Sequence, residues 1–193
     1  MKSALIISRI AHPISLITGY LVFYTFSIHE VNTAWWTLTG LVGIGIFPLA
    51  MWNYFLTKKG IYTNFDVSVK QDRRSMYGFI FLLALMVMTF LLMTGQPADM
   101  LIGCLMLKQL VLLSFLLNFR IKTSLHTSMV LFTGFALLPL HLPLSLILFS
   151  FTPFVAWSRW RLGRHNPGEL AAGAAIGIIT GLQLLYYTGY WKT

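Results

Sequence analysis

Acidic residues and cysteine are what this chain has least of. Its 193 residues include five Asp+Glu and one Cys, and 10% are charged against 57% hydrophobic. A soluble domain usually carries about 25% charged residues. Charge this sparse excludes a soluble globular domain, a disordered chain and a coiled coil. A single cysteine, Cys104, excludes a disulfide framework and a cysteine-based metal centre within one chain. Five scattered acids form no carboxylate cluster for Mg²⁺. Also missing are a glycine-rich phosphate loop ending in Lys-Ser/Thr, a His-Glu-x-x-His and a Gly-x-Ser-x-Gly. No small-residue cleavage site follows the first apolar run, so that segment is expected to stay as a helix.

Long apolar runs dominate what is there. A helix needs about 20 residues to cross about 30 Å of hydrocarbon. The runs and their breaks predict seven helices, over 4–27, 33–56, 76–95, 99–119, 125–138, 142–158 and 168–189. Pro139 and Pro143 flank a tight reversal between the two shortest. The expected fold is an all-α, polytopic transmembrane bundle of six to seven helices, a single membrane domain over 1–193.

The 14 Lys+Arg are unevenly placed. Loop 57–75, the junction 120–124 and loop 159–167 are separated by two crossings each, so they share one face. They hold Lys58, Lys59, Lys70, Arg73, Arg74, Arg120, Lys122, Arg159, Arg161 and Arg164. The N-terminus with Lys2 falls on that face, and Lys192 on the other. The positive-inside rule alone accounts for this bias and makes the face cytoplasmic. An anion site built from three loops accounts for it equally. Nucleic acid is not expected as a partner; the membrane is.

Residues 158–169 read Ser-Arg-Trp-Arg-Leu-Gly-Arg-His-Asn-Pro-Gly-Glu. Asn166 suits an N-cap, Pro167 the first helical position, and Glu169 falls three after the cap. His165 therefore stands at a helix N-terminus, where free N–H groups and the dipole favour phosphate. A neutral imidazole there could attack phosphorus while a carboxylate orients it. The plainer reading is an ordinary capping box with arginines in the headgroups. Lys122-Thr-Ser124-Leu-His126 repeats the pattern at the start of the fifth helix, with Thr123 or Ser124 as cap. Phosphoryl transfer needs cations on the phosphoryl oxygens, an in-line nucleophile and an acid for the leaving group. The three basic segments contain residues for each role.

These motifs resemble those of the type 2 phosphatidic acid phosphatase superfamily. Ser158, Arg159, His165 and Glu169 have the spacing of its third motif, with Glu for Asp. Ser124 and His126 match its Pro-Ser-Gly-His motif, with Thr123 and Leu125 replacing Pro and Gly. Its first motif, Lys, six residues, Arg-Pro, is compacted here to Lys70 and Arg73 or Arg74 without the proline. The chain looks like a short bacterial branch that also carries an N-terminal His-Pro, here His12-Pro13. The likeness covers about residues 66–185. It implies a bacterial inner-membrane enzyme that hydrolyses a lipid phosphate monoester or diphosphate through a phosphohistidine, without metal or cofactor. His165 would be the nucleophile, Glu169 its orienting carboxylate and His126 the acid. Lys70, Arg73, Arg159 and the Ser124 backbone N–H would hold the phosphate. Leu125, where the family has Gly, is expected to alter the amide cradle. The alternatives are a lipid phosphotransferase using the same site and a non-catalytic protein binding anionic lipid.

Other features read as structural. Gly173, Gly177 and Gly181 recur every fourth residue, a close-packing stripe whose alternative use is a homodimer face; Gly40 and Gly43 are weaker versions. Lys108 falls mid-helix, where it either has a function or snorkels. His12, His29 and His141 read as interfacial, and Trp35, Trp36 and Trp191 as an interface belt.

Overall fold

A computed structural model describes residues 1–190; Trp191 and Lys192 lie outside the described residues. Among the described residues the chain is helical with no strand. The helices are α1 (Lys2–Ile10), α2 (Pro13–Ile28), α3 (Val31–Leu41), α4 (Phe47–Lys58), α5 (Arg73–Met93), α6 (Ala98–Leu117), α7 (Leu125–Leu137), α8 (Leu142–Arg161) and α9 (Pro167–Tyr187). α3 and α4 form one rod through a π-helical turn at Val42–Ile46. Among the described residues, five rods are long and apolar enough to cross a membrane, six if α1 and α2 count as one bent span. The protein is an integral membrane helical bundle.

Two departures from the expected seven crossings have local causes. The helix predicted over 4–27 is broken, with a bend of 43° between α1 and α2. Pro13 cannot donate to the helix, and the residue before a proline avoids the α region. His12 is accordingly extended, and its Nδ1 caps α2 by accepting from the Ile14 N–H at 3.2 Å. α7 has 13 residues and is about 20 Å long, too short to span hydrocarbon by itself. It can be short because it lies inside the bundle: ten of its residues are buried, and it packs chiefly on α9, α8 and α2. The π turn sits just before Pro48, whose ring and missing N–H disrupt a regular α-helix there.

The α7–α9 contact fixes the position of the third basic segment. An added Cβ at Gly173 would lie 2.6 Å from the Ser124 carbonyl oxygen, and one at Gly177 would lie 2.5 Å from that of Ser128. Gly181 abuts the Phe135 ring in the same way. The small-residue stripe of α9 therefore serves packing within the chain, against α7, instead of the suggested dimer face. Gly40 likewise abuts the Phe90 ring. The Ser124 N–H donates to the Glu169 carbonyl at 3.2 Å, so the first turns of α7 and α9 are locked together.

The three basic segments do meet on one face. Lys70 Nζ donates to the carbonyls of Phe119 and Arg120, Arg73 to that of Thr123, and Arg164 to the Ser68 hydroxyl. At the opposite end His29 bonds Gln96, and the His141 ring packs edge-on to Phe23. Cysteines placed singly at exposed Lys59 and exposed Asn32 in a Cys104→Ser background should therefore react with an impermeant thiol reagent from opposite sides of sealed vesicles. Labelling of both from one side would contradict this arrangement.

Candidate active site

Loop 59–72, between α4 and α5, organises the site. Val67 has φ +46°, a left-handed conformation that is costly for a β-branched residue. The turn is held by Val67 N–H to Asn64 O at 2.9 Å and by Asn64 Nδ2 to the Ser68 hydroxyl at 2.6 Å. Its effect is that three consecutive residues each offer one acceptor to a different arginine. Asp66 Oδ2 accepts from Arg159 Nη1 at 2.8 Å, Val67 O from Arg73 Nε at 3.0 Å, and Ser68 Oγ from Arg164 Nη1 at 2.7 Å.

Arg159, near the end of α8, is 0% exposed. Nη1 serves Asp66 and the Ser8 hydroxyl and lies 3.5 Å from His126 Nε2. Nε and Nη2 are buried with no partner. Two donor nitrogens without a partner on a buried guanidinium are an unmet demand for an anion.

His165 follows the turn at Gly163, whose φ of +65° suits glycine. Its backbone N–H and that of Arg164 both return to the Arg159 carbonyl. His165 Nδ1 lies 2.9 Å from Glu169 Oε2. A carboxylate only accepts, so Nδ1 carries the hydrogen and Nε2 keeps its lone pair. That Nε2 is buried and unpartnered. The same Glu169 completes the capping box of α9: its N–H donates to Asn166 Oδ1 at 2.9 Å, and its Oε2 accepts from the Asn166 N–H at 3.3 Å. Cap and histidine orientation, weighed as alternatives from the sequence, coexist. Burial, then Arg73, Arg159 and Lys122, lower the His165 pKa to about 2. The ring's contact with the Lys122 backbone opposes this, and the Glu169 carboxylate is shared with the Asn166 N–H and with Lys122 Nζ at 4.0 Å. The imidazole is neutral at physiological pH.

The remaining expected residues fall as follows. His126 is buried in the first turn of α7, beside Arg159, with Ser124 as the cap. Arg73, not Arg74, belongs to the cluster; Arg74 is exposed and stacks over Phe119. Lys70 spends two of its three donors on the turn that follows α6 and lines an open basic pocket with Arg120, Lys122 and Glu169. The Ser124 N–H, expected to cradle phosphate, is already used by the Glu169 carbonyl.

Asp66 and His12 were not among the expected site residues. His12, read as interfacial, places Nε2 3.4 Å from Asp66 Oδ1 and packs its ring edge-on against His126 at 5.3 Å. Lys122 and Arg164 also belong to the cluster. Burial alone would raise the Asp66 pKa, but the hydrogen bond from His12, then the charges of His126 and Arg159 and the bond from Arg159, bring it far below the usual carboxylate range. His12, Asp66 and His126 have ligand atoms within 4.8 Å of one another, a spacing that could hold a metal ion. Their hydrogen bonding argues against it. With His12 Nδ1 accepting from Ile14, the proton sits on Nε2, which donates to Asp66, and Arg159 occupies the other carboxylate oxygen.

Compared with family models, with curated proteins and with solved structures, the chain finds no match in any of the three.

Asp66 is the carboxylate bonded to Arg159. Asp66→Asn should therefore destabilise the protein by roughly 3 kcal/mol, as loss of one partner of a buried ion pair does. Inorganic phosphate should restore more thermal stability to this variant than to the parent. Equal phosphate stabilisation of both would show that Asp66 does not balance Arg159.

Proposed function

We propose that this protein is a metal-independent lipid phosphatase related to the type 2 phosphatidic acid phosphatases. It would cleave a phosphate monoester or diphosphate of a lipid. The reading is carried by one observation: a fully buried Arg159 with two free donors beside a neutral His165 whose Nδ1 is held by Glu169 and whose Nε2 is free. The same chain has the apolar helices of a membrane protein, which suits a substrate that stays in the bilayer.

In this mechanism the phosphate takes the free Arg159 donors, with Lys122, Arg164, Arg73 and Lys70 adding positive field. His165 Nε2 attacks phosphorus and the bond to the lipid oxygen breaks. His126, held neutral by burial and by Arg159, takes up a proton as the phosphate binds beside it and gives that proton to the leaving oxygen. Water then attacks the phosphohistidine, His126 takes its proton, and inorganic phosphate leaves. The N-termini of α7 and α9 add their dipoles to the stabilisation of charge. Glu169 holds the His165 tautomer and offsets the positive charge of the phosphoimidazole. His12 and Asp66 position Arg159 and His126. Loop charge bias supports a cytoplasmic position for this face in a bacterial inner membrane, where it would meet lipids made on the inner leaflet.

Purified protein should release phosphate from lipid phosphates in detergent with EDTA present, and vanadate should inhibit it. His165→Ala should lower turnover by at least about 10³ while leaving the fold intact, as loss of a covalent nucleophile does. Transfer of the phosphate to an added alcohol without free phosphate would favour a phosphotransferase. Activity that needs added Mg²⁺, or survives in His165→Ala, would overturn the mechanism.

A further inference from the structure

Beneath the basic cluster lies a second feature that the chemistry above does not use. A cavity of about 210 Å³ runs between α2, the α3–α4 rod, α5, α6 and α7. Its upper end is formed by Pro13, Ile14 and Leu125, the chain neighbours of His12 and His126. Its lower end reaches Tyr24, Leu91, Asp99 and Met100. Along α6 it extends from Val111 to Asp99, about 18 Å at the helical rise. That is a little more than half of the about 30 Å hydrocarbon thickness, or one ordinary acyl chain. The volume is below the roughly 300–1,000 Å³ of a pocket for a drug-sized ligand, which leaves room for no more than one chain. Lys108, exposed on the lipid side of α6 with Leu105 and Leu112, stands at its flank.

We propose that this cavity receives one linear hydrocarbon chain of the phosphorylated lipid and sets an upper limit on its length. The inference rests on the lipid phosphatase reading. It follows from the approach of the cavity to Pro13 and Leu125, the chain neighbours of His12 and His126, and from its length and apolar lining. In a bilayer the chain gains little by leaving the surrounding lipid, so the cavity selects by shape: a chain that fits brings its phosphate to the site in register, and one too long for the floor does not.

The test uses full-length protein in lipid nanodiscs. An alkyl phosphate of membrane length, carrying a diazirine at its tail end, should label Tyr24, Leu91 or Met100 on irradiation. Labelling confined to outward-facing Leu85, Met86, Leu92 and Leu116 would overturn the proposal. This readout needs no turnover, so it separates the cavity from the phosphatase reading: cavity labelling without any phosphate release would refute only the latter. Gly103 lines the lower cavity, and a Cβ there meets nothing within 4 Å. Gly103→Leu should lower kcat/KM for hexadecyl phosphate by about tenfold or more, the scale of a mismatched apolar pocket, while leaving butyl phosphate unchanged. Equal effects on the two would refute the length limit.

Discussion

The organising constraint is an excess of buried and half-buried positive charge. Arg73, Arg159, Arg164 and Lys122 meet around two carboxylates, Asp66 and Glu169, with the N-termini of α7 and α9 in the same region. In a low-dielectric setting such a group repels itself unless anions compensate. Asp66 answers one side of Arg159, and the Asp66–Val67–Ser68 turn supplies an acceptor to three arginines at once. The strained Val67 conformation is the local cost of that geometry. What remains unanswered is an oxyanion-sized deficit next to His165. The reading as a phosphate site follows from that deficit.

The scaffold converts this charge problem into a fixed geometry. Gly173 and Gly177 bring α9 against the backbone of α7, and the Ser124–Glu169 backbone bond sets their relative height. His126 and His165 each stand at the start of one of these two helices. α2 packs on α7 with His12 as its cap, so the N-terminal segment completes the site. Here the bundle core and the site are one packing problem: a residue larger than glycine at 173 would displace the backbone that holds Glu169.

Much of this was legible in the chain. Apolar runs outlined the helices because hydrocarbon imposes their length, and the shared face of the three basic segments followed from counting crossings. Asn166, Pro167 and Glu169 identify the α9 start through local capping chemistry, and His165 comes with it. Asp66 was not found, since its partner Arg159 is 93 residues away and no periodicity links them. A signal existed: an acid on a crowded basic face is a natural counter-ion. The break at His12-Pro13 was also readable from proline geometry, yet the continuous apolarity of 4–27 obscured it. The use of the Ser124 N–H by Glu169 depends on how closely two helices approach, which only packing determines.

The central claim is that His165 carries the phosphoryl group. Para-nitrophenyl phosphate has a leaving group that needs little acid assistance, while hydrolysis of the intermediate still needs a base. His126→Ala protein given this substrate should therefore accumulate the intermediate. After quenching at alkaline pH, where phosphohistidine survives, peptide mass spectrometry should find phosphate on His165. Phosphate on another residue, or turnover with none trapped on His165, would contradict the account.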